Sequence, residues 1–238
     1  MKNRLKSTTL LFVLLITITS CSKEWCGVEG VGTIHSEERH LTNFNGVDLQ
    51  LSGHVNIIRD SVYSITVTTY DNYHSLINVY VSGGTLVIDS KKSLRDENIT
   101  VDIRMPELDY LNIGGSGDIY TGSSFPSSYV KANVSGSGKI DFAGNVSTME
   151  AVISGSGNIY LNGTAINTKL RISGSGNIRG FGMPCQYSQA TISGSGDIET
   201  NVSTSLDATI SGSGNINYLG SPAVTVHISG SGNVNHRN

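Results

Sequence analysis

One heptapeptide recurs seven times in the chain, and it limits the folds available more than any other feature. "ISGSGNI" occupies Ile153–Ile159, Ile172–Ile178 and Ile210–Ile216. Close copies begin at Ile113, Val134, Ile192 and Ile228. Measured from Gly114 through Ser135, Ser154, Ser173, Ser193, Ser211 and Ser229, the steps are 21, 19, 19, 20, 18 and 18 residues. A period near 19 belongs to solenoids. In these a single repeat cannot bury its own apolar face and is stable only when stacked on its neighbours.

The residues around each copy say what one repeat is. Before the glycines, apolar residues stand two apart, as in Leu111/Ile113, Ala151/Ile153, Leu170/Ile172 and Ala208/Ile210, with Lys169 and Arg171 on the other parity. After them the alternation resumes in Ile140/Phe142 and Ile159/Leu161. Period two is a strand with one buried face. No stretch carries a helix-period stripe long enough to serve as a crossover. The pattern predicts an all-β parallel β-helix with coils of 18–21 residues, each a strand, a glycine corner, a strand and a variable link back. A right-handed coil is expected, because parallel crossovers turn that way.

The corner glycines are Gly136 and Gly138, Gly155 and Gly157, Gly174 and Gly176, Gly194 and Gly196, Gly212 and Gly214, and Gly230 and Gly232. Such a turn demands positive φ or close backbone approach, and glycine supplies either. Asn158, Asn177, Asn215 and Asn233, with Asp118 and Asp197, should stack as a side-chain ladder at one corner. Residues 111–238 form this regular region. Residues 28–110 alternate more loosely, as in "VDLQLSG", "YSITVTTY" and "INVYVSGGTLVIDS", and are expected to form larger coils that share the core and cap one end. "SGGT" reads as a hairpin turn or a further corner. The polar tail from Asn233 to Asn238 is a thin cap for the other end.

The first residues belong to export rather than to the fold. Lys2, Arg4 and Lys6 precede an apolar run from Leu10 to Ile18, too short to span a bilayer. "ITSC" then resembles the lipobox of bacterial lipoproteins. That resemblance implies a signal peptide at 1–20, cleavage before Cys21, acylation of Cys21 and a short tether at 21–27; the expected location is the cell envelope, at the outer membrane, on either its periplasmic or its surface face. Acyl chains anchor through about 0.8 kcal/mol per buried methylene. Loss of the three basic residues moves the formal charge from −3 to −6. An acidic chain without a basic patch does not suit nucleic acid. Cys26 and Cys185 read as unpaired. The six histidines show no ligand spacing, so neither a metal nor a cofactor is expected.

"FNGVDLQLSGHVNI", "NITVDIRMPELDYLNIGGSGDI" and the iterated "ISGSGNI" resemble the family described as "putative auto-transporter adhesin, head GIN domain", over about 28–238. The resemblance implies an exported, often lipid-anchored β-helix without catalytic residues, and a role in adhesion inferred from fold.

Other functions fit less well. A phosphate-cradling loop must open a helix, and none follows. "GGSGD" is similar to a calcium-binding nonapeptide, but five of the seven copies lack its aspartate. Polysaccharide-cleaving β-helices use clustered carboxylates. Here acidic residues are sparse after Leu111, with Asp197/Glu199 and Arg171/Arg179 the nearest to clusters. The chain is therefore read as a non-enzymatic recognition module for a glycan, a protein or a second copy of itself, with Tyr120, Tyr160, Tyr187 and Tyr218 as candidate exposed rings. A passive envelope scaffold is the alternative. Asp60-Ser61-Val62 resembles the O-glycosylation acceptor of exported Bacteroides-type proteins, which makes Ser61 a candidate acceptor.

Overall fold

The corner heptapeptides stack directly on one another. The computed structural model describes residues 27–96 and 98–238; Cys21, Cys26 and the leader lie outside them. The chain runs through β1 (Ile34–Glu38), β2 (Gly46–Leu49), β3 (His54–Arg59), β4 (Ser64–Tyr70), the single turn α1 (Asp71–His74), β5 (Ile77–Ser82), β6 (Thr85–Ser90), β7 (Thr100–Met105), β8 (Tyr110–Ile113) and β9 (Asp118–Thr121). The repeats follow as β10 (Phe125–Val134), β11 (Lys139–Ile153), β12 (Asn158–Ile172), β13 (Asn177–Ile192), β14 (Ile198–Ile210), β15 (Ile216–Leu219), β16 (Ala223–Ile228) and β17 (Val234–His236).

The architecture is a parallel β-helix, as the period requires. β11 lies parallel to β12 from Lys139↔Asn158 to Ile153↔Ile172, so one coil separates residues 19 apart. The stretch expected as a variable link is itself strand: Ala143↔Asn162 through Val146↔Ala165 continue the ladder. Backbone groups there need partners, and the neighbouring coil supplies them. Differences in coil length appear as register shifts between Tyr160 and Asn167 and between Gly180 and Pro184.

Inward positions form continuous apolar columns. One runs Ile113, Val134, Ile153, Ile172, Ile192, Ile210, and another Ile119, Ile140, Ile159, Ile178, Ile198, Ile216. All twelve are at most 2% exposed. Each contributes roughly 1.5–3 kcal/mol by burial. Cys185 is a free thiol, buried beside Thr168, and donates to the carbonyl of Asn201.

The corner glycines are present for only one of the two expected reasons. None of the twelve has positive φ; among the described residues that conformation falls to Asn43 and to other glycines, such as Gly163 in β12. What excludes a side chain at the corner is the coil beneath. A Cβ on Gly174 would meet Ser154 O at 2.6 Å and the Gly155 carbonyl oxygen closer still. Corner amides also bond down the stack, as in Ser175 N to Gly155 O at 3.0 Å.

The side-chain ladder forms with a specific polarity. Asn158 Oδ1 accepts the backbone N–H of Asn177, Asn177 Oδ1 that of Asp197, Asp197 Oδ1 that of Asn215, and Asn215 Oδ1 that of Asn233. Only a side-chain oxygen is required, which explains why Asp and Asn interchange. Lys139 cannot accept, and the next amide, Asn158 N, bonds the Gly138 carbonyl instead.

The N-terminal part extends the stack in an order different from that of the chain. β2 lies between β6 and β8, and β3 between β7 and β9, all parallel. The chain thus lays the β2–β3 rung first, returns to place β6 and β7 outside it, and only then begins the repeats. Antiparallel strands close this end: β4 pairs with β7, β1 with β4, and β5 with β6. "SGGT" is the β5–β6 hairpin turn, with Gly83 and Gly84 both at positive φ. These rungs replace the larger coils expected from sequence, although they do share the repeats' core. The opposite end is barely covered. Every residue of β16 is exposed, including Val224, Val226 and Ile228.

Candidate functional site: the outward rows

Inward positions are filled, so recognition chemistry has to come from residues facing out. Register places them in rows along the helix axis, about 4.8 Å apart per coil. Tyr120, Asp141, Tyr160, Arg179 and Glu199 make one row on the strands that leave the corners. Tyr120 and Tyr160 are exposed, two coils apart with Asp141 between them. Arg179 pairs with Glu199.

A second row lies on the strands that enter the corners: Tyr129, Thr148, Asn167, Tyr187 and Ser205. Beside it run Lys131, Glu150, Lys169, Gln189 and Asp207. Together they frame a shallow groove of about 390 Å³, lined chiefly by Asn167, Lys169, Tyr187, Gln189 and Asp207. Tyr187 is 45% exposed at its edge. One end of these rows is held by a network. Tyr129 donates to Glu150 Oε2 at 2.7 Å, and Lys131 Nζ lies 3.2 Å from Glu150 Oε1. Burial, with the Glu150 carboxylate second, pushes the Tyr129 phenol up to about 12. The Tyr129 hydroxyl, with Lys131, holds the Glu150 carboxyl below its ordinary value.

Tyr218 does not join the exposed rings. It stands in register with Thr200, on the inward parity, and stacks on His236 with centroids 4.9 Å apart. The sequence carries the signal for this: Tyr160 follows its corner Ile159 directly, whereas Tyr218 stands two places after Ile216.

The carboxylates of the groove face are too far apart for glycoside hydrolysis. Glu150 and Asp207 are three coils apart, about 14 Å along the stack. Retaining hydrolysis needs about 5–5.5 Å and inverting about 6.5–9.5 Å. Asp197 is committed to Asn215, and Glu199 to Arg179.

A cluster that sequence spacing missed lies at the capped end. His35, Glu37 and His74 bring one ligand atom each to within 4.8 Å of one another, a convergence that the absence of ligand spacing among the histidines did not reveal. The β1–β4 pairing and α1 bridge their 39-residue separation. Ser61 is exposed in the turn between β3 and β4.

The family model described as "Putative auto-transporter adhesin, head GIN domain" matches residues 43–222. Several solved structures are similar. A "putative adhesin" from Bacteroides fragilis superposes with TM-score 0.83 at 24% identity, covering 88% of this chain and 100% of its own. A "putative lipid binding protein" from Parabacteroides distasonis has TM-score 0.74 at 25% identity, with 89% and 99% covered. A "putative adhesin" from the same species has TM-score 0.76 at 22% identity, with 88% and 99% covered. No curated protein matches the sequence significantly. Among the described residues no helix is long and apolar enough to cross a membrane.

Proposed function

The chain belongs to the family described as "Putative auto-transporter adhesin, head GIN domain", and on that premise we propose that it is an exported, lipid-anchored adhesin of the cell envelope that binds carbohydrate in the groove beside Tyr187. The anchor in this reading is acylated Cys21, which follows the basic and apolar leader segments. The observation that carries the ligand class is the groove's composition. An exposed ring at Tyr187 offers an apolar face. Asn167, Gln189, Lys169 and Asp207 offer donors and acceptors of both kinds within three coils. Few well-placed polar groups around an apolar surface fix the orientation of a hydroxyl-rich ligand. The groove is shallow, so single-site affinity is weak. Many anchored copies on one membrane raise it by avidity.

The absence of a carboxylate pair at hydrolytic spacing on this face favours binding over cleavage. The test is a glycan array probed with the intact chain in detergent. Wild type should bind a restricted set of glycans. Tyr187→Ala and Asp207→Asn should each weaken that binding at least tenfold, with unchanged thermal unfolding. Silence across the array, or binding indifferent to both substitutions, would reject the reading and favour a passive scaffold.

A further inference from the structure

We propose that His35, Glu37 and His74 form a binding site for one divalent transition-metal ion of the zinc class, which ties β1 to α1 within the antiparallel cap. Each imidazole is held so that one particular nitrogen is left free. His35 Nδ1 lies 2.8 Å from Asp71 Oδ1 and donates there, so in the neutral imidazole Nε2 offers its lone pair toward Glu37 Oε1. His74 Nε2 lies 3.2 Å from the His35 carbonyl oxygen, which can only accept, so Nε2 carries a hydrogen and in the neutral imidazole Nδ1 offers its lone pair. That Nδ1 is buried, on a side chain only 6% exposed, and has no hydrogen-bond partner. It faces Glu37 Oε2 at 3.5 Å. An imidazole lone pair shut off from water and facing a carboxylate oxygen is unfavourable unless something positive lies between them.

The geometry suits a metal. Zinc bonds of about 2.0–2.1 Å in a tetrahedron set ligand atoms about 3.3 Å apart. His35 Nε2 lies 3.4 Å from Glu37 Oε1 and His74 Nδ1 lies 3.5 Å from Glu37 Oε2, so the two imidazoles flank one carboxylate, and with one ligand atom from each residue the three lie within 4.8 Å of one another, a small contraction away from that edge. The surroundings complete the pattern. Ligating histidines give their second N–H to a carboxylate or a carbonyl, and ligating carboxylates are themselves hydrogen-bonded. Asp71, the His35 carbonyl and Arg39, which donates to Glu37 Oε2 at 2.7 Å, fill those places. Asp71 is in turn fixed by the Thr33 N–H at 2.9 Å. Two imidazoles and one carboxylate favour zinc over calcium or magnesium, which take oxygen shells. His35 and Glu37 are about two-fifths exposed, so a fourth position is open to water. An ion here ties β1 to α1, adding to the backbone bonds from Asp71 N to Thr33 O and Asn72 N to Val31 O that already hold α1 to the segment entering β1.

The experiment uses the full, untagged chain in detergent, stripped with chelator and titrated with Zn²⁺ by calorimetry and with Co²⁺ by visible absorption. One equivalent of Zn²⁺ should bind, Co²⁺ should give the intense bands of a four-coordinate site, and Ca²⁺ should not compete. His35→Ala and His74→Ala should each abolish both signals, and Asp71→Asn should weaken binding 10–100-fold. His227→Ala, at the far end, should change nothing. His35 is two-fifths exposed, so its variant keeps the test valid if His74→Ala fails to fold. No saturable uptake by stripped wild type, or undiminished uptake by His35→Ala, overturns the proposal.

Discussion

Replacing Gly174 by alanine tests whether the corners are closed by contact or by backbone conformation. The structure gives Gly174 no positive φ, so alanine meets no conformational penalty there. Its Cβ would instead sit 2.6 Å from Ser154 O and 2.9 Å from the Gly155 carbonyl carbon, with the Gly155 oxygen nearer than either. These are backbone atoms and have no rotamer into which to retreat. The two coils have to separate locally by an ångström or more. That separation breaks the bonds Ser175 N to Gly155 O and Ser173 N to Ile153 O, at 3.0 and 2.9 Å. Two ladder bonds at about 1 kcal/mol each, plus lost packing of the adjoining Ile columns, put the cost at roughly 3 kcal/mol or more.

Two comparisons calibrate that figure. Ile172→Ala empties a buried position and should cost about 2–5 kcal/mol. Gly83→Ala has the opposite character: positive φ but nothing within 4 Å of the new Cβ, so about 1–2 kcal/mol is expected. Urea unfolding followed by circular dichroism reads all three. The order Gly174→Ala at or above Gly83→Ala is required. A Gly174→Ala midpoint indistinguishable from wild type, with Gly83→Ala clearly lowered, would refute contact as the reason for the corner glycines.

Cys21→Ser should leave an unprocessed precursor, and palmitate labelling of that variant at the wild-type level would remove the lipoprotein assignment. Native ectodomain should carry glycan mass that Ser61→Ala removes, as intact mass spectrometry can establish. Burial raises the Cys185 thiol above its ordinary value, so the fold holds it neutral. That stability is fully present below the unfolded thiol value and is lost as pH rises past roughly 8.5–9; thermal melts between pH 8 and 10 should fall less steeply for Cys185→Ala than for wild type. Asn177→Asp keeps the oxygen that caps the Asp197 N–H but sets like charges on adjacent coils, so its cost should stay near or below about 1 kcal/mol and shrink with added salt.

The repeat made most of the fold legible. Ile153, Ile172 and their equivalents announce their burial by local alternation, and a 19-residue step permits only stacking. The reason for the corner glycines was not legible, because close approach and positive φ select the same residue. The order of the N-terminal rungs was hidden for a different reason. Val47 pairs with Leu86 and with Leu111, partners 39 and 64 residues away that no periodicity connects. His35 and His74 were missed in the same way: antiparallel pairing joins them, and spacing carries no trace of it. Tyr218 could have been placed from its parity after Ile216.

The same physics that makes the stack monotonous leaves its surface free. Inward and corner positions are bound by the coil above and the coil below, so a change at Ile172 or Gly174 is felt in three coils. Outward positions such as Tyr187 and Asn167 contact rows rather than the core, and can vary without disturbing the columns beneath. The groove lies over β11 to β14, the four longest continuous repeat strands but for the bulges between β12, β13 and β14. Those bulges disturb the ladder beside the groove rather than under it, since Asn167↔Tyr187 through Ile172↔Ile192 remain in step. A ligand lying along the axis therefore meets side chains at a fixed interval on a rigid backing, which lowers the ordering cost of binding. Recognition on such a surface is set by which residues occupy successive outward places, and in this chain Tyr187 with Lys169, Gln189 and Asp207 is where an apolar ring and opposite charges converge.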